Sequence, residues 1–432
     1  MNVHVKPGFL KGSLQVPGSK SHTIRSVLLA TLAGGRTCIE NPLASGDGLS
    51  ALAASRAFGA IVKEEENRWV VQGRGGILQV PSNVLDTGNS GTTTCLFTSV
   101  ASLVDGYTVI TGDEQIRRRP ILPLVDALNA LGATAFLTRG GQGCPPVVVK
   151  GVLQGGTVTI EGKNSQYVSS LLLSAPLAKR TTVIQVVNAL EKPYVQLTLD
   201  WMKRLGIEVA NPADYTQFVV EGGQQYQSGD FTIPSDWSAV AFPLVAAAIT
   251  RSDLVLTGLD FSDSQGDKRV VDILARFGAN VYRQNESELH IVGGERLKGG
   301  LTIDLSDIPD ALPALSVLAT QAEGRTVFVN LEHVRQKETD RVAEMTAKLN
   351  SLGCSLHMEQ DSLVVDGPTA IQGGIVSSSG DHRIAMALVA AGLAAEGEVV
   401  ITDAQCADVS FPGFFSKFAA CGAGLLIEEA QD

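Results

Sequence analysis

Cations at the starts of predicted helices, with carboxylates beside them, are the residues of this chain best suited to chemistry. The stretch RQKETDR, Arg335 to Arg341, poses the question most sharply. If it starts a helix, Lys337 and Arg341 sit four residues apart on one face, where like charges repel by a few tenths of a kcal/mol. One reading is a solvated face with Asp340 offsetting the repulsion. The other is a face that receives an anion.

Similar stretches recur. PGSKSHTIRS turns at Pro17-Gly18 and opens a helix with Lys20 and Ser21 in its first turn. An ammonium there opposes the helix dipole. An anion held by the free backbone N–H groups would reverse that penalty. DTGNSGTTTCLF sets Asn89, Ser90, Gly91, Thr92 and Thr93 before an apolar helix, with side chains small enough for backbone amides to approach a ligand. GDEQIRRRP carries three arginines ending at Arg119, and guanidinium suits carboxylate and phosphate. SGDHRIAM places Asp381, His382 and Arg383 at another helix start. Glu338 stands beside Lys337, and Asp310 in SDIPDALP opens a further apolar helix. Carboxylates among cations suit acid–base chemistry on an anionic substrate. Alone, each stretch also fits an ordinary capped helix or surface turn. Together they predict a cleft for a small, multiply anionic substrate, without naming a reaction.

The elements that must position these residues repeat along the chain. ALAASRAFGAIV, LVDALNALGATA, TLDWMKRLGIEV, VVDILARFGANV, MTAKLNSLGCSL and FFSKFAACGAGL each read as an amphipathic helix, a glycine and a strand. Their glycines, Gly59, Gly132, Gly206, Gly278, Gly353 and Gly422, follow one another at 73, 74, 72, 75 and 69 residues. Glycine just past a helix takes the left-handed cap conformation at little cost. Alternating segments between the copies, such as TVTIEG, RTVFVN and EVVITD, read as further strands. Six units divide as three plus three, with crossings near QVPGSKS and FTIPSDWSAV. This predicts an α/β protein of two lobes, residues 1–19 with 235–432 and residues 20–234. Two lobes joined by two strands predict a hinge and a cleft.

Composition narrows the function. The 432 residues carry a formal net charge of -11, against nucleic acid or an anionic membrane as the main partner. Hydrophobic content of 44 % and charged content of 18 % describe a core-rich globular protein. MNVHVKPGFLKGSLQV has no continuous apolar core, so no secretory signal peptide is expected. No apolar run reaches the roughly 18 residues of a membrane span. Six cysteines without a CxxC pair predict reduced thiols in a cytoplasmic protein, and no structural metal is expected.

PGSKSHTIR, GNSGTT, RRRP, NSQ, KPYVQLTL, IPDAL, KETDR, GDHRIAM and SFPGFF occur in an order that resembles the enolpyruvyl transferases, over essentially the whole chain. The resemblance lies nearest the branch acting on shikimate 3-phosphate. It implies a two-lobed inside-out α/β barrel of six βαβαββ repeats, three per lobe. The reaction it implies joins the enolpyruvyl group of phosphoenolpyruvate to the 5-hydroxyl of shikimate 3-phosphate and releases phosphate. It further implies no metal or organic cofactor, a monomer, and closure of the lobes on the substrates. Carried over residue by residue, Lys20, Gly91, Arg119, Arg341 and Arg383 would hold phosphoenolpyruvate. Ser21, Arg25, Asn164, Ser165, Gln166, Asp310 and Lys337 would hold the acceptor. Asp310 would take the proton of the attacking hydroxyl, and Glu338, with Lys20, would protonate the methylene carbon.

Three positions depart from the family pattern. Cys95 stands where an arginine is usual, Asn164 replaces a serine of SSQ, and Glu191 replaces the serine before KPY. The last two touch the expected acceptor phosphate, and a carboxylate at Glu191 repels phosphate unless it is paired or turned away. They motivate two other readings: an enolpyruvyl transferase with a different acceptor, and a catalytically impaired paralog that binds small anions. A nucleotide-sugar acceptor fits less well, because that branch usually has a cysteine where Glu114 stands.

Overall fold

The computed structural model describes residues 1–211 and 213–429. The chain forms two compact units, Gly18–Ile233 and Met1–Pro17 with Pro234–Asp432. The first holds α1 (Lys20–Leu32), α2 (Gly46–Ala57), α3 (Gly91–Ala101), α4 (Leu122–Ala130), α5 (Ser165–Ser174) and α6 (Lys192–Arg204). The second holds α7 (Trp237–Ala248), α8 (Arg269–Arg276), α9 (Leu312–Thr320), α10 (Arg341–Ser351), α11 (His382–Ala394) and α12 (Phe414–Ala420).

Odd- and even-numbered helices differ in kind, and sequence sets the difference. WSAVAFPLVAAA of α7 and LPALSVLAT of α9 are apolar or small all round, and every residue in them is buried. α3 is likewise buried from Gly91 to Ala101, and α11 from His382 to Leu393. A helix without a polar face belongs inside. Even-numbered helices bury one stripe; α8 buries Val270, Ile273 and Leu274 and leaves its charges outward. Each is followed by a repeat glycine with φ between 81° and 99°, the left-handed region where a side chain would be strained.

Among the described residues the strands form six small sheets, three in each unit. The first runs Asp230–Thr232, Gly34–Glu40, Arg68–Arg74, Ile61–Glu65, with one parallel pairing followed by two antiparallel ones. The same order returns in four other sheets. Helices inside and sheets outside give each unit its inside-out character; among the described residues the sheets remain separate and close no barrel. The sheet of the third repeat is the exception. A strand is expected after Gly206, but only an isolated Ala210–Val219 bridge forms, leaving three strands. The Gln224 side chain takes the Glu208 N–H at 3.0 Å, which removes that donor from a ladder.

Each unit has its own hydrophobic core. One includes Trp237, Phe242, Leu315 and Leu388; the other includes Leu28, Trp69, Phe97 and Leu172. No helix among the described residues is long and apolar enough to cross a membrane. All six cysteines are free thiols.

Candidate active site

In the unit of α7 to α12, the candidate residues gather around Arg341. The expected helix through RQKETDR is corrected here. Glu332–Gln336 is a 3-10 turn, Lys337 ends it with non-helical backbone, and α10 begins only at Arg341. Asp340 is the reason: its carboxylate caps the new helix by accepting from the Ala343 N–H at 3.0 Å. Lys337 and Arg341 therefore do not share a helix face. Arg341 is not solvated either, because its side chain has 0 % exposure.

Three carboxylates hold the Arg341 guanidinium. Nε donates to Asp381 Oδ2 at 2.8 Å, Nη1 to Asp310 Oδ1 at 2.7 Å, and Nη2 to Glu338 Oε2 at 2.5 Å. Burial alone would push its pKa down; the charges of Asp381, Glu338 and Asp310 outweigh burial and hold it above the ordinary arginine value. Arg383 Nη2 lies 3.0 Å from Asp310 Oδ2, so Asp310 bridges two guanidinium groups. Local sequence builds this cluster. Asp310 lies in the 3-10 turn Pro309–Ala311 that leads into α9, and Asp381 caps α11 through the Arg383 N–H at 2.9 Å. The sequence assigned no role to Asp381, although GDHR marks it as a cap. It is fully buried and supplies two of the contacts to Arg341.

In the unit of α1 to α6, the candidates stand at the N-termini of the three buried helices. Lys20 opens α1, with Nζ 3.3 Å from Asp47 Oδ2, a buried carboxylate the sequence did not single out. Arg25, one turn further, is 1 % exposed. Its guanidinium donates to Thr198 Oγ1 at 2.8 Å and to the carbonyls of Ser21 and Tyr194 at 3.1 and 3.3 Å. Burial pushes its pKa down to about 10. Gly91 opens α3, and Arg119 Nη1 occupies the place a Cβ on Gly91 would take. Gln166 Nε2 donates to Thr92 Oγ1 at 3.0 Å, tying the start of α5 to the start of α3. Cys95 is buried within α3, where its carbonyl accepts from Ser170 of α5 at 2.6 Å.

Glu191 is paired rather than open to solvent. It is 2 % exposed, and its Oε2 accepts from the Ser165 N–H at 3.1 Å and the Ser165 hydroxyl at 2.6 Å. Asn164 caps the same helix by accepting from the Gln166 N–H at 3.0 Å.

Basic and acidic side chains at buried helix starts, in two units of three repeats each, define a protein built to handle small, multiply charged anions. A family model described as EPSP synthase (3-phosphoshikimate 1-carboxyvinyltransferase) matches residues 5–418. A 3-phosphoshikimate 1-carboxyvinyltransferase of Ruminiclostridium cellulolyticum is 45 % identical over 423 residues, 98 % of this chain and 99 % of that protein. One from Methanocella arvoryzae is 41 % identical over 414 residues, 95 % of this chain and 96 % of that protein. The solved EPSP synthase of Acinetobacter baumannii superposes with a TM-score of 0.84 at 28 % identity, covering 99 % of this chain and 100 % of that one. The chain belongs to the EPSP synthase family.

Proposed function

We propose that the two residue sets serve one reaction. As a member of the EPSP synthase family, the chain transfers the enolpyruvyl group of phosphoenolpyruvate to the 5-hydroxyl of shikimate 3-phosphate. Phosphate is released, in a step of aromatic amino acid biosynthesis through the shikimate pathway.

Lys20, Arg119, Arg341, Arg383 and the Gly91 N–H hold the phosphate and carboxylate of phosphoenolpyruvate. Ser21, Arg25, Asn164, Ser165, Gln166 and Lys337 hold the acceptor. Asp310 accepts the proton of the attacking hydroxyl while that oxygen bonds to C2 of phosphoenolpyruvate. Glu338, with Lys20, delivers a proton to the methylene carbon, giving a tetrahedral intermediate. Loss of a proton from the new methyl group then expels phosphate and restores the double bond. Fixed cations in a site closed to water stabilise these charges more than solvent would.

One observation supports this division best: Arg341 touches Asp310 and Glu338 together, and Arg383 touches Asp310. Two carboxylates able to move protons are thus fixed by the cations that would face phosphoenolpyruvate. Asp310→Asn tests the assignment. It removes the base while retaining an oxygen to accept from Arg341. Turnover should fall by about 100-fold or more with both substrates still bound; near-normal turnover would contradict the role.

A further inference from the structure

The buried helices of the two units differ at their N-termini. In one unit the N-cap residues of α7 and α11 are Asp236 and Asp381, each with its carboxylate bonded to a helix amide, while α9 follows the neutral Ala311. In the other, α1, α3 and α5 follow Ser19, Ser90 and Asn164, all neutral. The positive end of α5 nevertheless has an anion, supplied from elsewhere in the chain. Glu191, 26 residues beyond Ser165, sends its carboxylate to the first amide of α5 and to the Ser165 hydroxyl. An N–H and an O–H converging on one anionic oxygen at a helix start are the donors a bound phosphate uses.

The backbone is arranged to hold Glu191 there. Its φ of 51° lies in the left-handed region, uncommon for a glutamate. Burial of the carboxylate would be costly without donors such as the Ser165 N–H and hydroxyl and the helix end. The Glu191 carbonyl accepts from the Tyr194 N–H at 3.0 Å, and the Tyr194 carbonyl in turn accepts from Arg25 at 3.3 Å. Glu191 is thereby linked both to Ser165 and to the backbone that seats Arg25.

We propose that Glu191 is a specificity-determining residue, a resident anion with which the acceptor's phosphate must compete for Ser165. This rests on the reaction and acceptor given above. A phosphate reaches the Ser165 donors only by displacing the carboxylate, or it binds beside a like charge. Either route weakens its hold and narrows the preference for a phosphorylated acceptor over the same ring without phosphate.

The test measures dissociation constants of the full-length enzyme and its Glu191→Ser and Glu191→Gln variants by calorimetry. The probes are shikimate 3-phosphate, shikimate and inorganic phosphate. Both variants should bind shikimate 3-phosphate about tenfold more tightly, with shikimate changed by less than about twofold. Glutamine keeps the shape and an acceptor oxygen for Ser165, so it remains informative if the serine variant folds poorly. Unchanged or weaker binding of shikimate 3-phosphate in both variants would overturn the proposal, as would an equal shift for both ring ligands. Inorganic phosphate separates this proposal from the reaction it rests on. Tighter phosphate binding by the variants, with a wild-type enzyme that releases no phosphate when phosphoenolpyruvate and shikimate 3-phosphate are supplied together, would overturn the reaction and uphold the role of Glu191. Unchanged phosphate and shikimate 3-phosphate binding in an active enzyme would overturn the role of Glu191 alone.

Discussion

Arg341 Nη1 and Asp310 Oδ1 meet at 2.7 Å, and the guanidinium that makes this contact has no exposed surface. A buried cation surrounded by three carboxylates is costly to break from either side. Arg341→Ala should lower unfolding free energy by about 3–5 kcal/mol, because three buried or half-buried carboxylates lose their common partner. Urea unfolding checks this. If the variant folds, phosphoenolpyruvate should bind much more weakly and the acceptor much less so. Equal loss for both would undo the division of the site.

Glu338 shares that guanidinium through Nη2. In Glu338→Gln both substrates should still bind, since the amide oxygen can accept from Arg341. Turnover should drop by about 100-fold or more, the usual contribution of a positioned proton donor. Deuterium incorporation into the methylene group during turnover in D2O should slow in parallel. Undiminished incorporation would remove Glu338 from the proton transfer.

Gly91 is the position at which a single methyl group separates binding from folding. A Cβ there would strike Arg119 Nη1, the far end of a flexible side chain. Gly91→Ala should displace the guanidinium and raise the KM for phosphoenolpyruvate by about tenfold. Unfolding free energy should change by less than about 0.5 kcal/mol, as the clash is not with backbone. Steady-state kinetics and thermal unfolding check the two parts separately.

A pH dependence follows from His4, in the N-terminal strand Asn2–Val5. Its hydrogen bond to Glu398, and then its contact with Glu428, raise its pKa above the ordinary value of 6.5. The folded state therefore binds this proton more tightly than the unfolded chain. That contribution to stability is complete below 6.5 and disappears as pH rises through the folded pKa. His4→Gln should destabilise the protein slightly at about pH 5.5 and not at about pH 9, because both partners are solvent-exposed and screened. Urea midpoints at the two pH values test the sign.

Much of the fold was legible because local rules and tertiary structure agree. All six repeat glycines adopt the left-handed cap that their position after an amphipathic helix demands. Uniformly apolar helices such as α7 lie inside for the same reason. The strand expected after Gly206 does not form, and a Gln224 side chain intercepts its backbone. α10 starts later than charge spacing suggests because Asp340 caps it. The cluster itself could not be read from spacing. Asp310, Glu338, Arg341 and Asp381 span 310 to 381 in sequence, and only the fold brings them together. The partner of Glu191 was equally hidden, since Ser165 lies on a different helix start.

The most direct measurement is phosphate release by the purified protein, with phosphoenolpyruvate and shikimate 3-phosphate present together and each omitted in turn. Release that requires both substrates, with one enolpyruvyl ether formed per phosphate, is the predicted result. Release from phosphoenolpyruvate alone, or none with both substrates bound, would contradict enolpyruvyl transfer to this acceptor.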